Sequence, residues 1–104
     1  MELYAIKDLP ADRLGDIFCC EMDLYADRRY ISWLLDNLER SNLGFDAADF
    51  CLVCIGSYDY TTGRIEQHFV DDGSLAVRVV SEYTNKQLRD RINSLVREHK
   101  ELKE

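Results

Sequence analysis

The chain has 104 residues, 46% hydrophobic and 32% charged, with 13 basic against 20 acidic side chains and a formal net charge of −7. That length holds one core and hence one domain, 1–104, and the balance is that of a folded chain, not a disordered one. So acidic a surface argues against general affinity for phosphate backbones, and no apolar run approaches the roughly 20 residues that span a bilayer.

The opening, Met1-Glu2-Leu3-Tyr4, has neither the basic start nor the long apolar stretch of a secretory signal, so a cytoplasmic protein without membrane contact is expected. Leu3-Tyr4-Ala5-Ile6 is β-prone and ends at Asp8-Leu9-Pro10, where proline cannot donate to a ladder. Ile17-Phe18-Cys19-Cys20 reads as a second strand, reached through a polar stretch over 11–16, so the two predict a hairpin with a longish loop.

At Asp23 the period changes. Ala26, Tyr30, Trp33, Leu34 and Leu38 follow at i, i+4, i+7, i+8 and i+12, with Ile31 and Leu35 widening the face, and Asp23 is a suitable N-cap. The helix should stop near Ser41-Asn42, with Gly44 supplying the break. Tyr30 and Trp33 are expected to bury against a sheet; a base-stacking platform calls for basic neighbours, and only Arg28 and Arg29 lie close along the chain.

Phe50 to Tyr58 is the strongest strand signal, its near-continuous apolar run predicting a central position covered on both faces. Asp59-Tyr60-Thr61-Thr62-Gly63 reads as a hairpin connection, Arg64 to Val70 as the return strand, Asp71-Asp72-Gly73 as a turn, and Leu75 to Val80 as a further strand. Together these predict an antiparallel meander. Residues 84–104 then read as an amphipathic helix opened by a capping box, Thr84 with Gln87. Leu88, Ile92, Leu95, His99 and Leu102 recur at alternating spacings of four and three, a seam that suits docking on the sheet or pairing in a homodimer. The fold class is α+β: an antiparallel sheet of four or five strands with two helices on one face, in the order ββαβββα.

Four cysteines invite the idea of a thiolate metal site. Against it, Cys51 and Cys54 lie three apart within a strand and Cys19 and Cys20 are strand neighbours, so each pair points to opposite faces. Reduced, core-packed thiols, with no metal and no cofactor, are the expectation. No catalytic residues emerge either. His68 and His99 lie on separate elements without a nucleophile motif, Asp71-Asp72 belongs to a turn, and the five glycines are scattered singly rather than forming a phosphate loop.

Charge is distributed unevenly. Residues 84–104 carry six basic and four acidic side chains, a net +2, and residues 1–83 carry seven and sixteen, a net −9. One functional reading places nucleic acid against Arg89, Arg91, Arg97, Lys100 and Lys103 together with Tyr58 and Tyr60. The other uses the acidic body to engage or inhibit a host or viral protein, by mimicry of DNA.

The stretch Asp49-Phe50-Cys51-Leu52-Val53-Cys54-Ile55-Gly56-Ser57-Tyr58-Asp59-Tyr60-Thr61-Thr62-Gly63-Arg64-Ile65 resembles the D-F-x-L-x-x-[IL]-G-x-[FY]-D-x-x-[ST]-G-x-[IF] signature of small non-structural proteins of gokushovirus-type microviruses, single-stranded DNA phages. Met1 to Asp8 is similar to that family's opening, and Ala26-Asp27-Arg28-Arg29-Tyr30 to its A-x-R-x-F segment. Ala47-Ala48 replaces the usual His-Pro, and the region after Val70 has no counterpart. The resemblance implies a phage accessory protein in the host cytoplasm, supporting single-stranded DNA genome replication or packaging through nucleic-acid or protein contacts. It carries over no catalytic residue.

Overall fold

A computed structural model describes residues 1–40, 44–67 and 77–103, with side chains described through Arg97. The elements are β1 (Glu2–Asp8), β2 (Arg13–Cys20), α1 (Asp23–Arg40), a single 3-10 turn (Ala47–Asp49), β3 (Phe50–Asp59), β4 (Arg64–Gln67), β5 (Arg78–Ser81) and α2 (Asn85–Lys103). They form the α+β arrangement ββαβββα, a curled five-stranded antiparallel sheet with both helices on one face.

β1 and β2 make a longer hairpin with a tighter connection than the polar stretch predicts. Only Leu9 to Asp12 lie between them, because Asp8 accepts the Ala11 N–H at 3.1 Å and Asp12 N–H reaches the Leu9 carbonyl at 3.2 Å. Asp12 takes a φ of +51°, a conformation aspartate tolerates better than most residues. Pro10 sits within the turn, where its missing donor is not needed.

β3 is the central strand, and Cys51 to Gly56 are all buried. Its residues alternate strictly. Leu52 and Cys54 face the helices with Tyr4, Tyr30 and Leu34, while Cys51, Val53 and Ile55 face the other side with Leu3 and Ala5. Leu14, Cys19, Tyr58 and Val77 pack around that second cluster as the sheet curls. Withdrawing each of Leu52, Leu34 and Ile55 from water is worth about 1.5–3 kcal/mol.

The pairing of β3 changes at Ile55. Leu3 pairs with Gly56 but Tyr4 with Cys54, a bulge that shifts the phase and brings Tyr58 to the same side as Ile55. A Cβ on Gly56 would lie 2.0 Å from the Glu66 carbonyl oxygen, so glycine is what lets β4 approach. The β3–β4 connection follows the sequence reading: Asp59 accepts the N–H groups of Thr61 and Thr62, Gly63 N–H returns to the Asp59 carbonyl at 2.7 Å, and Gly63 has a φ of +76°. Those two N–H groups hold the Asp59 carboxyl below its ordinary pKa.

The expected meander is corrected. β5 does not lie outside β4; it returns to β3 itself, pairing Leu52 with Ser81 and Cys54 with Arg78 along the edge where β4 pairs Gly56 to Asp59. Strand propensity marks segments that suit a sheet without choosing a partner, and β3 offers an apolar edge that the fully exposed β4 does not. The predicted strand ends His68 to Val70, the turn at 71–73 and Leu75 lie outside the described residues, as do Ser41 and Asn42 at the expected end of α1.

Two carboxylates one helical turn apart fasten α1 to the last strand. Asp23 accepts the Tyr4 hydroxyl at 2.7 Å and the Arg78 guanidinium at 2.8 and 3.0 Å. Asp27 accepts Ser81 Oγ and Tyr83 Oη. Asp23 is therefore not the N-cap the sequence suggested: the Met22 carbonyl begins the helical ladder by accepting Ala26 N–H, and the Asp23 side chain is spent on tertiary partners. At α2 the capping box forms as read, with Gln87 N–H to Thr84 Oγ1 at 3.2 Å and Thr84 N–H to Gln87 Oε1 at 2.9 Å. Asn85 adds a clamp no pattern announced, donating to the Phe45 carbonyl and accepting Ala47 N–H.

Candidate functional site

A cleft of about 450 Å³ opens between α1 and the free-edge side of the β1–β2 hairpin. Its walls bring together Trp33 and Arg29 of α1, Phe18, Arg13 and Asp16 of β2, and Phe50 at the start of β3. Helical periodicity sets Arg29 and Trp33 one turn apart on the same side of α1. Trp33 is half-buried, stacked on Tyr30 with centroids 6.2 Å apart and meeting Phe50 edge-on at 5.2 Å. The Arg29 guanidinium lies 4.5 Å from the centre of the Phe18 ring, a cation–π contact at the rim. Arg13 and Asp16 are exposed, while Asp8, also on the wall, is engaged by the Ala11 N–H. Chemically the cleft offers flat aromatic surface, two guanidinium groups for anionic oxygens, and a carboxylate for amino groups.

Tyr30 fulfils the expected burial against the sheet, and its hydroxyl finds no hydrogen-bond partner among the described residues. Burial raises the Tyr30 pKa well above the ordinary tyrosine value, so it stays a neutral phenol. Sequence reading missed Arg13 as a neighbour of Trp33, because twenty residues and a strand-to-helix connection separate them. The signal the sequence does carry is the pair Arg29 and Trp33 at helical spacing.

The residues singled out from sequence for nucleic-acid contact fall on separate elements, α2 and the β3–β4 hairpin. Arg89, Arg91 and Arg97 are exposed on α2, and the side chains of Lys100 and Lys103 lie outside the described residues. Tyr58 packs on the face of the sheet opposite the helices, and Tyr60 is exposed at the β3–β4 turn. The proposed pairing seam is divided too. Leu88 is fully buried in the chain's own core, Ile92 is 38% exposed, Leu95 56%, and the side chains of His99 and Leu102 lie outside the described residues. A seam shared with another molecule therefore cannot include Leu88. Ile92 instead lines a second groove, with Leu35 and Leu38 of α1, rimmed by Asp36 and Glu39.

The thiols divide by face as the spacing requires: Cys20 and Cys54 lie in the helix-side cluster, Cys19 and Cys51 on the opposite side. Burial pushes the Cys51 and Cys54 thiols above the ordinary cysteine value, which keeps them protonated and unreactive. Among the described residues no group of three His, Cys, Asp or Glu side chains is placed to hold a metal ion, and no helix is long and apolar enough to cross a membrane.

With this geometry in view, comparison with protein families is decisive for the body of the chain. Residues 1–82 match the family model described as Phage ORF5 protein. The chain belongs to the Phage ORF5 protein family. The match takes in the whole sheet and α1, hence the aromatic cleft, and stops short of α2, which begins at Asn85. Comparison with curated proteins and with solved structures yields no match. This ORF5 protein is accordingly a phage protein, and within the matched region Phe50, Leu52 and Ile55 pack the two faces of β3, Gly56 admits β4, and Asp59 with Gly63 fixes the hairpin.

Proposed function

We propose that this ORF5 protein is a non-enzymatic accessory protein of a gokushovirus-type microvirus that acts in the host cytoplasm and supports single-stranded DNA genome replication or packaging by contact. The observation that supports the reading is the aromatic cleft, where Trp33, Phe18 and Phe50 meet Arg13 and Arg29. Proteins that hold single strands combine stacking surfaces with cations that follow the backbone, and base–aromatic stacking contributes about 1–3 kcal/mol per base. The acidic body limits the number of phosphates neutralised, so binding is short in footprint and modest in affinity.

Trp33 is the chain's one tryptophan, which makes its fluorescence a direct report on the cleft. Titration of the full chain with oligothymidylate at low salt is expected to quench it, with affinity falling as salt rises. Replacing Arg13 and Arg29 together by alanine is expected to weaken binding about tenfold or more, and both positions are exposed enough to leave the core intact. Failure of the wild-type protein to associate at low salt overturns this reading. A second reading is favoured by the net charge of −9 on residues 1–83: the acidic body engages a host or viral protein. Co-purification from infected cells with a stoichiometric protein partner and no DNA supports that alternative.

A further inference from the structure

We infer that the exposed part of α2 seats reciprocally in the groove between α1 and α2 of a second copy of this chain. After Leu88 the helix leaves the core, yet its apolar stripe continues through Ile92, Leu95 and Val96, with Leu95 and Val96 56% and 50% exposed. A helical extension of that length is marginal in water unless its apolar face is covered, so the stripe calls for a partner. The groove supplies a matching surface, about 480 Å³ in volume, floored by Leu35, Leu38 and Ile92.

Charge selects the occupant. The groove's rim is acidic, with Asp36 and Glu39 on α1, and the stripe on α2 is flanked by Arg91, one turn before Leu95, and Arg89, two turns before Val96. Asp36 already pairs with Arg40 at 3.5 Å and Lys86 with Asp90 at 3.4 Å, but all four are exposed and such pairs are weak and exchangeable. Groove and stripe lie on the same molecule, so one contact, repeated about a two-fold axis, covers both stripes at once and closes the assembly. The pairing differs from a simple seam-on-seam coiled coil because Leu88 is committed to its own core and α1 contributes half the receiving surface. It does not rest on the nucleic-acid reading, which uses Arg29 and Trp33 of α1 and none of the residues that line this groove.

Sedimentation of the full chain over a concentration series tests the inference. The wild type is expected to dimerise, and Leu95→Glu to sediment as a monomer that loses part of the helical circular dichroism of α2 while Trp33 keeps its folded fluorescence. Leu95→Ala, which preserves helix propensity, guards against misfolding and is expected to weaken the dimer about tenfold. Glu39→Arg should weaken it as well, and Glu39→Arg combined with Arg91→Glu should restore much of the loss. A wild type that stays monomeric throughout, a Leu95→Glu variant that dimerises as well as wild type, or a charge pair that fails to compensate overturns the inference.

Discussion

The two helices are nearly the same length, 18 and 19 residues, and both carry an amphipathic pattern, but they are held in very different ways. α1 buries Ala26, Tyr30, Ile31 and Leu34 and is fastened by Asp23 and Asp27 to side chains more than fifty residues away. α2 inserts Leu88 alone among its described side chains and is held at its start by a capping box and the Asn85 clamp. An apolar stripe thus states that a helix wants covering without stating by what. For α1 the cover is the sheet; on α2 the described apolar side chains after Leu88 stay partly exposed.

The contrast can be broken by removing one anchor from each helix, where the largest effects are expected. Leu34→Ala should cost the whole domain about 3 kcal/mol in denaturant unfolding, since a fully buried leucine leaves a cavity that its neighbours cannot fill. Leu88→Ala removes the same atoms with a different result: α2 should lose helical circular dichroism and become protease-sensitive while Trp33 keeps its folded fluorescence. Coincident loss of both signals in Leu88→Ala would show that α2 is as integral as α1.

A smaller effect comes from acid. Hydrogen bonds from Arg78 and from Tyr4 hold the Asp23 carboxyl down at about 2, against an ordinary value of 3.8. Because the folded value lies below the unfolded one, this stabilisation is complete above about pH 4 and is lost as pH falls towards 2. Thermal unfolding between pH 5 and pH 2 should therefore show a decline that Asp23→Asn flattens, whereas the Thr84–Gln87 cap on α2, being neutral, contributes no such slope. The smallest expected change is at Tyr30. Its buried hydroxyl lacks a partner among the described residues, so Tyr30→Phe should leave stability unchanged or raise it by up to about 1 kcal/mol.

Features that depend on neighbours in sequence were legible: the Thr84–Gln87 box, the Asp59–Gly63 connection, the two-faced burial of β3 and the division of the cysteines between faces. Features that depend on which distant segments meet were not. β5 chose β3 over β4 because edge geometry and apolar contact decide pairing, and neither is written in the local alternation of Leu75 to Val80. Asp23 has the composition of a cap, but Arg78 approaches it from fifty-five positions away and takes the carboxylate. The cleft was obscured for the same reason: Arg13 and Trp33 become neighbours only when the hairpin lies beside α1.

The way β5 closes the sheet has a kinetic consequence. Residues 78–83 supply the Arg78, Ser81 and Tyr83 partners of α1 and complete an edge of β3, yet they are made after every other strand. During synthesis Asp23 and Asp27 of α1 lack their Arg78, Ser81 and Tyr83 partners until this late segment leaves the ribosome. Contacts of large sequence separation slow the search for the native state, so refolding of this small domain should be governed by the pairing of β1 with β3 and the docking of residues 78–83 on α1.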